Sequence, residues 1–149
     1  HYYTARTTQV YRRAIDDAAA GRAFDPGLLA ELEHLANRGY TDGFFQRHPS
    51  QEMQSYREGA SRSTRSQFVA EVTGVDAASG LAELAVKNKF SVGDELELVT
   101  PGGNRRFRLQ VLFDRAGNPL DEAPGGGWTV RVALPAPADP MGLLTRILA

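Results

Sequence analysis

Apolar and polar residues follow two rhythms along this chain, and the change of rhythm divides it. From about Thr4 to Ala20, Val10, Tyr11, Ala14, Ile15 and Ala18 recur at spacings of three and four, with Arg12, Arg13, Asp16 and Asp17 between them. That spacing lines one face of an α-helix. Gly21 follows, where glycine often closes a helix. A second helix is predicted from Asp25 to Ala36. Asp25 can accept hydrogen bonds from the first free amides, and Pro26 suits the first helical position because its missing N–H is not needed there. Phe24 and Leu29 are spaced to close a hydrophobic staple across that start. Leu28, Leu29, Leu32, Leu35 and Ala36 form one apolar stripe, ending at Asn37-Arg38-Gly39. Periodicity is lost between Tyr40 and Ser66, and roughly Gln46 to Ser66 reads as a linker or extended wrap.

The second half runs in steps of two. Phe68, Ala70 and Val72 alternate with Val69, Glu71 and Thr73, and Ala82, Leu84 and Val86 with Glu83, Ala85 and Lys87. Leu96 and Leu98 alternate with Glu95 and Glu97. Phe107, Leu109, Val111 and Phe113 alternate with Arg106, Arg108, Gln110 and Leu112; Trp128, Val130, Val132 and Leu134 alternate with Thr129, Arg131 and Ala133. Each run puts one set of side chains on an inner face and the other on a wet face. Phe90 and Val92 read as apolar anchors before the Gly93-Asp94 turn. Turn residues fill the gaps: Gly74 to Gly80, Pro101 to Asn104, Asp114 to Pro119 and Ala123 to Gly127. Leu143 to Leu148 adds a sixth strand or a closing turn of helix. The fold class expected is α+β by segment, two helices followed by a small antiparallel β-barrel of five or six strands. The boundaries are 1–45 for the helical part, 46–66 for the linker and 67–149 for the barrel. Leu96 and Val111 are both expected to face its core.

Composition narrows the chemistry. Lys plus Arg is 17 against 18 for Asp plus Glu, a net charge of -1, so any contact with nucleic acid has to come from a local patch. With no cysteine, the chain supplies no disulfide, thiolate ligand or thiol nucleophile. No apolar run approaches the roughly 20 residues of a membrane span, no secretory leader is visible, and a soluble cytoplasmic protein is expected. The opening His1-Tyr2-Tyr3, without methionine, suggests a piece of something longer.

No catalytic constellation emerges. His1, His34 and His48 lack metal-ligand spacing, and His34 beside Glu31 and Glu33 reads as a solvated helix face. Ser61, Ser63 and Ser66 have no glycine elbow around them. Glu95 and Glu97 share a side but read as the wet face of an edge strand. Gly125-Gly126-Gly127 is not followed by the Lys-Ser or Lys-Thr pair of a phosphate loop. Catalytic and metal-binding residues are therefore expected to be none.

Four runs carry a resemblance: YRRAIDDAAAG, LANRGYTDGFF, VKNKFSVGDELELVTPGGN and APGGGWTVRVALP. In this order they resemble the C-terminal third of the bacterial collagenase-like peptidases of unassigned catalytic type (peptidase family U, number thirty-two). The branch resembled most is the tRNA-hydroxylating one, which takes part in prephenate-dependent formation of 5-hydroxyuridine at the wobble position; other members are recorded as collagenases or proteases. The resemblance implies that the two helices are the tail of a missing (β/α) barrel catalytic domain. It implies that Gln67 onward is an accessory barrel similar to the second domain of translation elongation factors. The family's cysteine signature is absent here. Catalysis, together with any iron–sulfur cluster and the prephenate, is thus expected in the missing N-terminal region of the parent. This chain is expected to be an accessory, substrate-binding or lid module. The alternatives are the same module of a true peptidase, or a purely structural barrel.

A basic surface is the functional candidate. Arg106 and Arg108 are expected on one side of a strand with Arg105 at its mouth, Lys87 and Lys89 at the end of another strand, and Arg131 outward on a third. Brought together by closure of the barrel, they would contact RNA phosphates. Arg38, Tyr40, Thr41 and Phe44, in the run from Asn37 to Phe45, are expected at an interdomain seam, the alternative implied by the resemblance being a role near the parent's active site. The partners expected are the missing catalytic domain and tRNA, with no membrane. The isolated fragment is expected to cover the helical stripes in a homodimer or by folding them onto the barrel.

Overall fold

The computed structural model describes residues 1–33, 35, 66–135 and 141–148. The chain divides into two compact units, one of His1 and residues 3–64, the other of Tyr2 and residues 65–149. The linker expected at 46–66 lies outside the described residues, except Ser66, which opens the first strand.

The first unit holds α1 (Tyr2–Ala19) and α2 (Gly27–Glu33). Helix α1 stops where the sequence predicts. Gly21 takes φ 68°, its N–H bonds the Ala18 carbonyl at 3.0 Å, and the Arg22 N–H bonds the Asp17 carbonyl at 2.8 Å. This paired closure satisfies carbonyls that the helix end would leave bare, and it needs the left-handed conformation that glycine takes at least cost. The start of α2 is also as predicted, with the Gly27 N–H donating to Asp25 Oδ1 at 2.8 Å. Arg6 and Arg13 both reach Glu31 of α2, Arg6 at 3.5 Å.

The stripes are only partly covered. Val10, Leu28 and Leu35 are buried, but Tyr11, Ile15, Phe24 and Leu29 are exposed. The expected staple of Phe24 and Leu29 therefore leaves both residues in solvent. Among the described residues no helix is long and apolar enough to cross a membrane.

The second unit contains nine strands among its described residues: β1 (Ser66–Val75), β2 (Ala82–Val86), β3 (Phe90–Ser91), β4 (Glu95–Thr100), β5 (Gly103–Arg108), β6 (Leu112–Phe113), β7 (Glu122–Ala123), β8 (Thr129–Val132) and β9 (Leu143–Ile147). The segment after Leu143 is thus a strand, not a turn of helix. Seven strands form one antiparallel sheet in the order β5-β4-β9-β1-β2-β8-β6, and β3 pairs with β7. Its two ends, β5 and β6, are not paired with each other. The cylinder expected from the alternation is a curled, half-barrel sheet whose ends are joined by residues 109–111. That link is anchored on the β3–β4 turn, where the Leu109 N–H bonds the Asp94 carbonyl and the Gly93 N–H bonds the Leu109 carbonyl.

Alternation places the core. Ala70, Val72, Leu84, Val86, Leu96, Leu98, Val130, Val132 and Leu144 pack in one cluster with Phe90, Leu109, Leu112 and Ala123. The departures have local causes. β1 bulges at Val69 against β9 and at Thr73 against β2, so Val69 and Ala70 are buried in succession. β5 ends at Arg108, and the expected long strand from Phe107 to Phe113 breaks. Leu109 and Leu112, three apart, both turn inward, while Val111 is 42% exposed. Val111 is therefore no core residue. Val92, expected as an anchor, is exposed beside the turn at Gly93. Trp128 stands at the rim of the inner face and is exposed.

Candidate functional site

The basic residues sit on elements whose order separates them. Arg105, Arg106 and Arg108 belong to β5, at one edge of the sheet; Arg131 lies on β8, with four strands between them. Lys87 follows β2, and Lys89 precedes β3. Hydrogen-bonded pairing thus does not put the six expected cations on neighbouring strands.

Their charge environments differ as well. In the β4–β5 ladder Arg106 stands opposite Glu97 and Arg108 opposite Glu95, so these four share one face. Arg105 stands opposite Leu98 and shares a face with Phe107. Glu95 and Glu97, expected on an edge strand, lie on β4, which is paired on both sides; the edge belongs to β5. Arg106 Nε is 3.6 Å from Glu97 Oε1. Lys87 Nζ is 3.1 Å from Glu71, and Lys89 Nζ is 2.7 Å from Glu122. Arg131 is held by two carboxylates, Asp76 at 3.5 Å and Glu83 at 3.9 Å. Among the described residues Arg105 and Arg108 have no carboxylate within ion-pair distance, and both are exposed. Of the six expected cations, those not already committed to carboxylates among the described residues are therefore the two on the β5 edge; Arg115, exposed in the turn after β6, is likewise without a carboxylate at ion-pair distance.

Sequence reasoning passed over two other features. Arg146 of β9 lies opposite Leu96 and Gln67; it donates to Gln67 Oε1 at 2.8 Å and reaches Asp94 at 3.7 Å. Asp94 also accepts the Ser91 N–H at 2.8 Å, so one carboxylate closes the β3–β4 turn and steadies an arginine. The other is Trp128, assigned to the core by alternation. Its glycine-rich approach was the available signal.

Two turn aspartates are held below the ordinary carboxylate range. Asp76 is lowered chiefly by the hydrogen bond from the Ala78 N–H, then by the Ser79 side chain. Asp114 is lowered chiefly by the Asn118 side chain, with the Asn118 N–H next. Both carboxylates shape turns. Among the described residues no cluster of three or more His, Cys, Asp or Glu side chains is placed to hold a metal. The run with Arg38, Tyr40, Thr41 and Phe44 lies outside the described residues.

Comparison with known proteins adds the following. The model of the peptidase family U32 C-terminal domain matches residues 64–145, and that of peptidase family U32 matches residues 1–55. The chain is 56% identical over 138 residues to tRNA hydroxylation protein P of Escherichia coli K12, covering 93% of this chain and 30% of that protein. It is 52% identical over 134 residues to tRNA hydroxylation protein P of Haemophilus influenzae, covering 90% and 29%. With tRNA hydroxylation protein P1 of Bacillus subtilis it shares 32% over 126 residues, covering 82% and 30%. The chain thus spans about three tenths of the length of these curated relatives. Among solved structures, the C-terminal domain of a U32 protein of Geobacillus thermoleovorans is 28% identical, with a TM-score of 0.50, covering 54% of this chain and 91% of that one.

Proposed function

Because this chain belongs to peptidase family U32, we propose that it is the C-terminal portion of a tRNA-hydroxylating protein. In this reading the β-sheet unit holds substrate RNA for a reaction performed elsewhere in the parent. The observation that carries it is the identity of 56% with a protein named for tRNA hydroxylation, running through both units of the chain. The β5 edge supports it, because Arg105 and Arg108 offer cations that phosphates can take without displacing a carboxylate. The reaction itself is the prephenate-dependent hydroxylation of the wobble uridine, carried out in the cytoplasm. An iron–sulfur cluster does not fit this chain, which has no cysteine. A cluster and the prephenate belong to the rest of the parent.

The helices fit the same reading. The match of residues 1–55 to the model of peptidase family U32 supports the reading of them as the tail of a preceding (β/α) barrel domain, whose remaining elements would cover Tyr11, Ile15, Phe24 and Leu29. Cut free, the fragment covers this face by pairing with a second copy. The strand unit acts as an accessory barrel of the kind found in the second domain of translation elongation factors.

The family's peptidase name favours one other reading, a substrate-binding or lid domain for polypeptide. Two measurements decide. Removing residues 66–148 from the full-length protein is expected to weaken tRNA binding in a mobility-shift assay and to lower hydroxylation of hypomodified tRNA. Capture of the chain on denatured collagen, with tRNA binding and hydroxylation untouched by the deletion, would establish the peptidase reading instead.

A further inference from the structure

We propose that β5 is a docking edge for a partner polypeptide, which lays an extended segment alongside it with carboxylates set against Arg105 and Arg108. This goes beyond the RNA reading above. Phosphates call only on the arginine side chains, whereas an added strand also engages the backbone of β5.

The phase of the ladder decides which backbone groups are open. The Leu109 N–H donates to the Asp94 carbonyl at 2.9 Å, one pair past the end of β5, where Arg108 stands opposite Glu95. Bonded and non-bonded pairs alternate along an antiparallel ladder. Phe107 and Arg105 therefore bond back to Leu96 and Leu98, while the N–H and C=O of Arg106 and Arg108 point away from β4. Among the described residues nothing pairs with β5 on that side. Its arginines are exposed, and Phe107 is half-buried.

The two ends of the sheet differ. β6 has two residues, and the chain folds back along it: the Leu120 N–H donates to the Leu112 carbonyl at 2.8 Å, and Phe113 bridges Pro119. Shortness and a covering segment keep an edge from pairing. β5 has six residues, no proline and an unbroken register with β4, although β1 bulges against both of its neighbours. A regular edge of this length is a template for one more strand.

Charge selects the occupant. Arginines on an edge oppose pairing between like strands, and β5 of a second copy would bring its own arginines against these. Arg106 already has Glu97 at 3.6 Å, but Arg105 and Arg108 have no carboxylate at ion-pair distance among the described residues. An odd number of positions separates those two, so they stand on opposite faces of β5. The complementary strand carries two carboxylates three positions apart, one for each face, and an apolar residue opposite Phe107. Carboxylates two positions apart share a face and reach only one of the two arginines.

The test reads the backbone. The isotope-labelled 149-residue chain is titrated at low salt with a synthetic strand of valine and threonine bearing two glutamates three positions apart. Bound peptide is expected to slow amide exchange at Arg106 and Arg108 and to leave Arg105 and Phe107, already bonded to β4, unchanged. Replacing both glutamates by glutamine is expected to weaken binding about 2- to 30-fold, and moving them to two positions apart about 1.4- to 5-fold. A peptide N-methylated on the amides facing Arg106 and Arg108 keeps its charge and is expected to lose the protection. Equal binding by that peptide, or binding without protection at Arg106 and Arg108, would reduce the contact to charge alone and overturn the proposal. No peptide binding, with tRNA still bound, would overturn it too and leave the RNA reading intact. Protection of the two amides by an oligouridylate but not by the peptide would assign the edge to RNA instead. In the full-length parent, amides at Arg106 and Arg108 already protected without peptide would show the edge filled from within and end the claim of a partner.

Discussion

Replacing Arg105 and Arg108 together by alanine tests where the phosphate contacts lie. Both side chains are exposed on the edge strand β5, and neither has a carboxylate at ion-pair distance among the described residues. Each phosphate contact contributes about 0.7 to the slope of log affinity against log salt for a single strand, and about 0.9 for a B-form duplex. Losing two contacts should flatten the slope by about 1.4 to 1.8. Over a fourfold rise in salt, the variant should lose about 7- to 12-fold less affinity than the unaltered chain. Arg131 supplies the comparison, since Asp76 and Glu83 already hold it at 3.5 Å and 3.9 Å. Arg131→Ala should change the slope by less than about 0.7, the weight of one contact. The assay is a tRNA titration at several salt concentrations, with thermal melts to confirm folding; exposed substitutions of this kind usually shift stability by no more than about 0.5 kcal/mol. An unchanged slope in the double variant would refute the β5 edge as a phosphate contact. A shift as large in Arg131→Ala would refute the idea that existing carboxylate pairs decide which cations are available.

Stability tests the broken strand. Leu96 is 0% exposed and Val111 is 42% exposed, so Leu96→Ala should cost about 2–5 kcal/mol in urea unfolding, whereas Val111→Ala should stay within about 0.5 kcal/mol. Equal costs would mean that Val111 faces the core after all. For pH, Asp114 is held low by Asn118, so its contribution to stability is complete above the ordinary aspartate value and is lost as pH falls through the depressed folded value. NMR titration of the Asp114 carboxyl should give a midpoint below the ordinary range, moving up in Asn118→Ala. An ordinary midpoint in the unaltered chain would show that the turn's hydrogen bonds are not formed.

Some of this architecture was legible because its causes are local. Gly21 and the Asp25-Pro26 pair marked helix boundaries through the conformations and hydrogen bonds available to those residues alone. The inner faces of Ala82–Val86, Leu96–Leu98 and Val130–Val132 followed from the two-residue period. The misses arose where a partner strand intervened. An extra residue at Val69 reset the alternation of β1, and the end of pairing at Arg108 turned Leu109 and Leu112 inward and Val111 out. The basic residues were also visible, but not which of them a carboxylate already held.

The amino-acid order alone determined where α1 ends and α2 begins, which side of most strands is apolar, and that no thiol chemistry takes place in this chain. Those properties depend on neighbours a few positions away or on composition. The tertiary structure decided that β4 lies between β5 and β9, that Arg105 and Arg108 are left at an edge while Arg131 is enclosed by carboxylates, and that Trp128 remains open at a rim. Each of these depends on which distant segments pair, and pairing is settled by how the whole set of strands buries its apolar faces together.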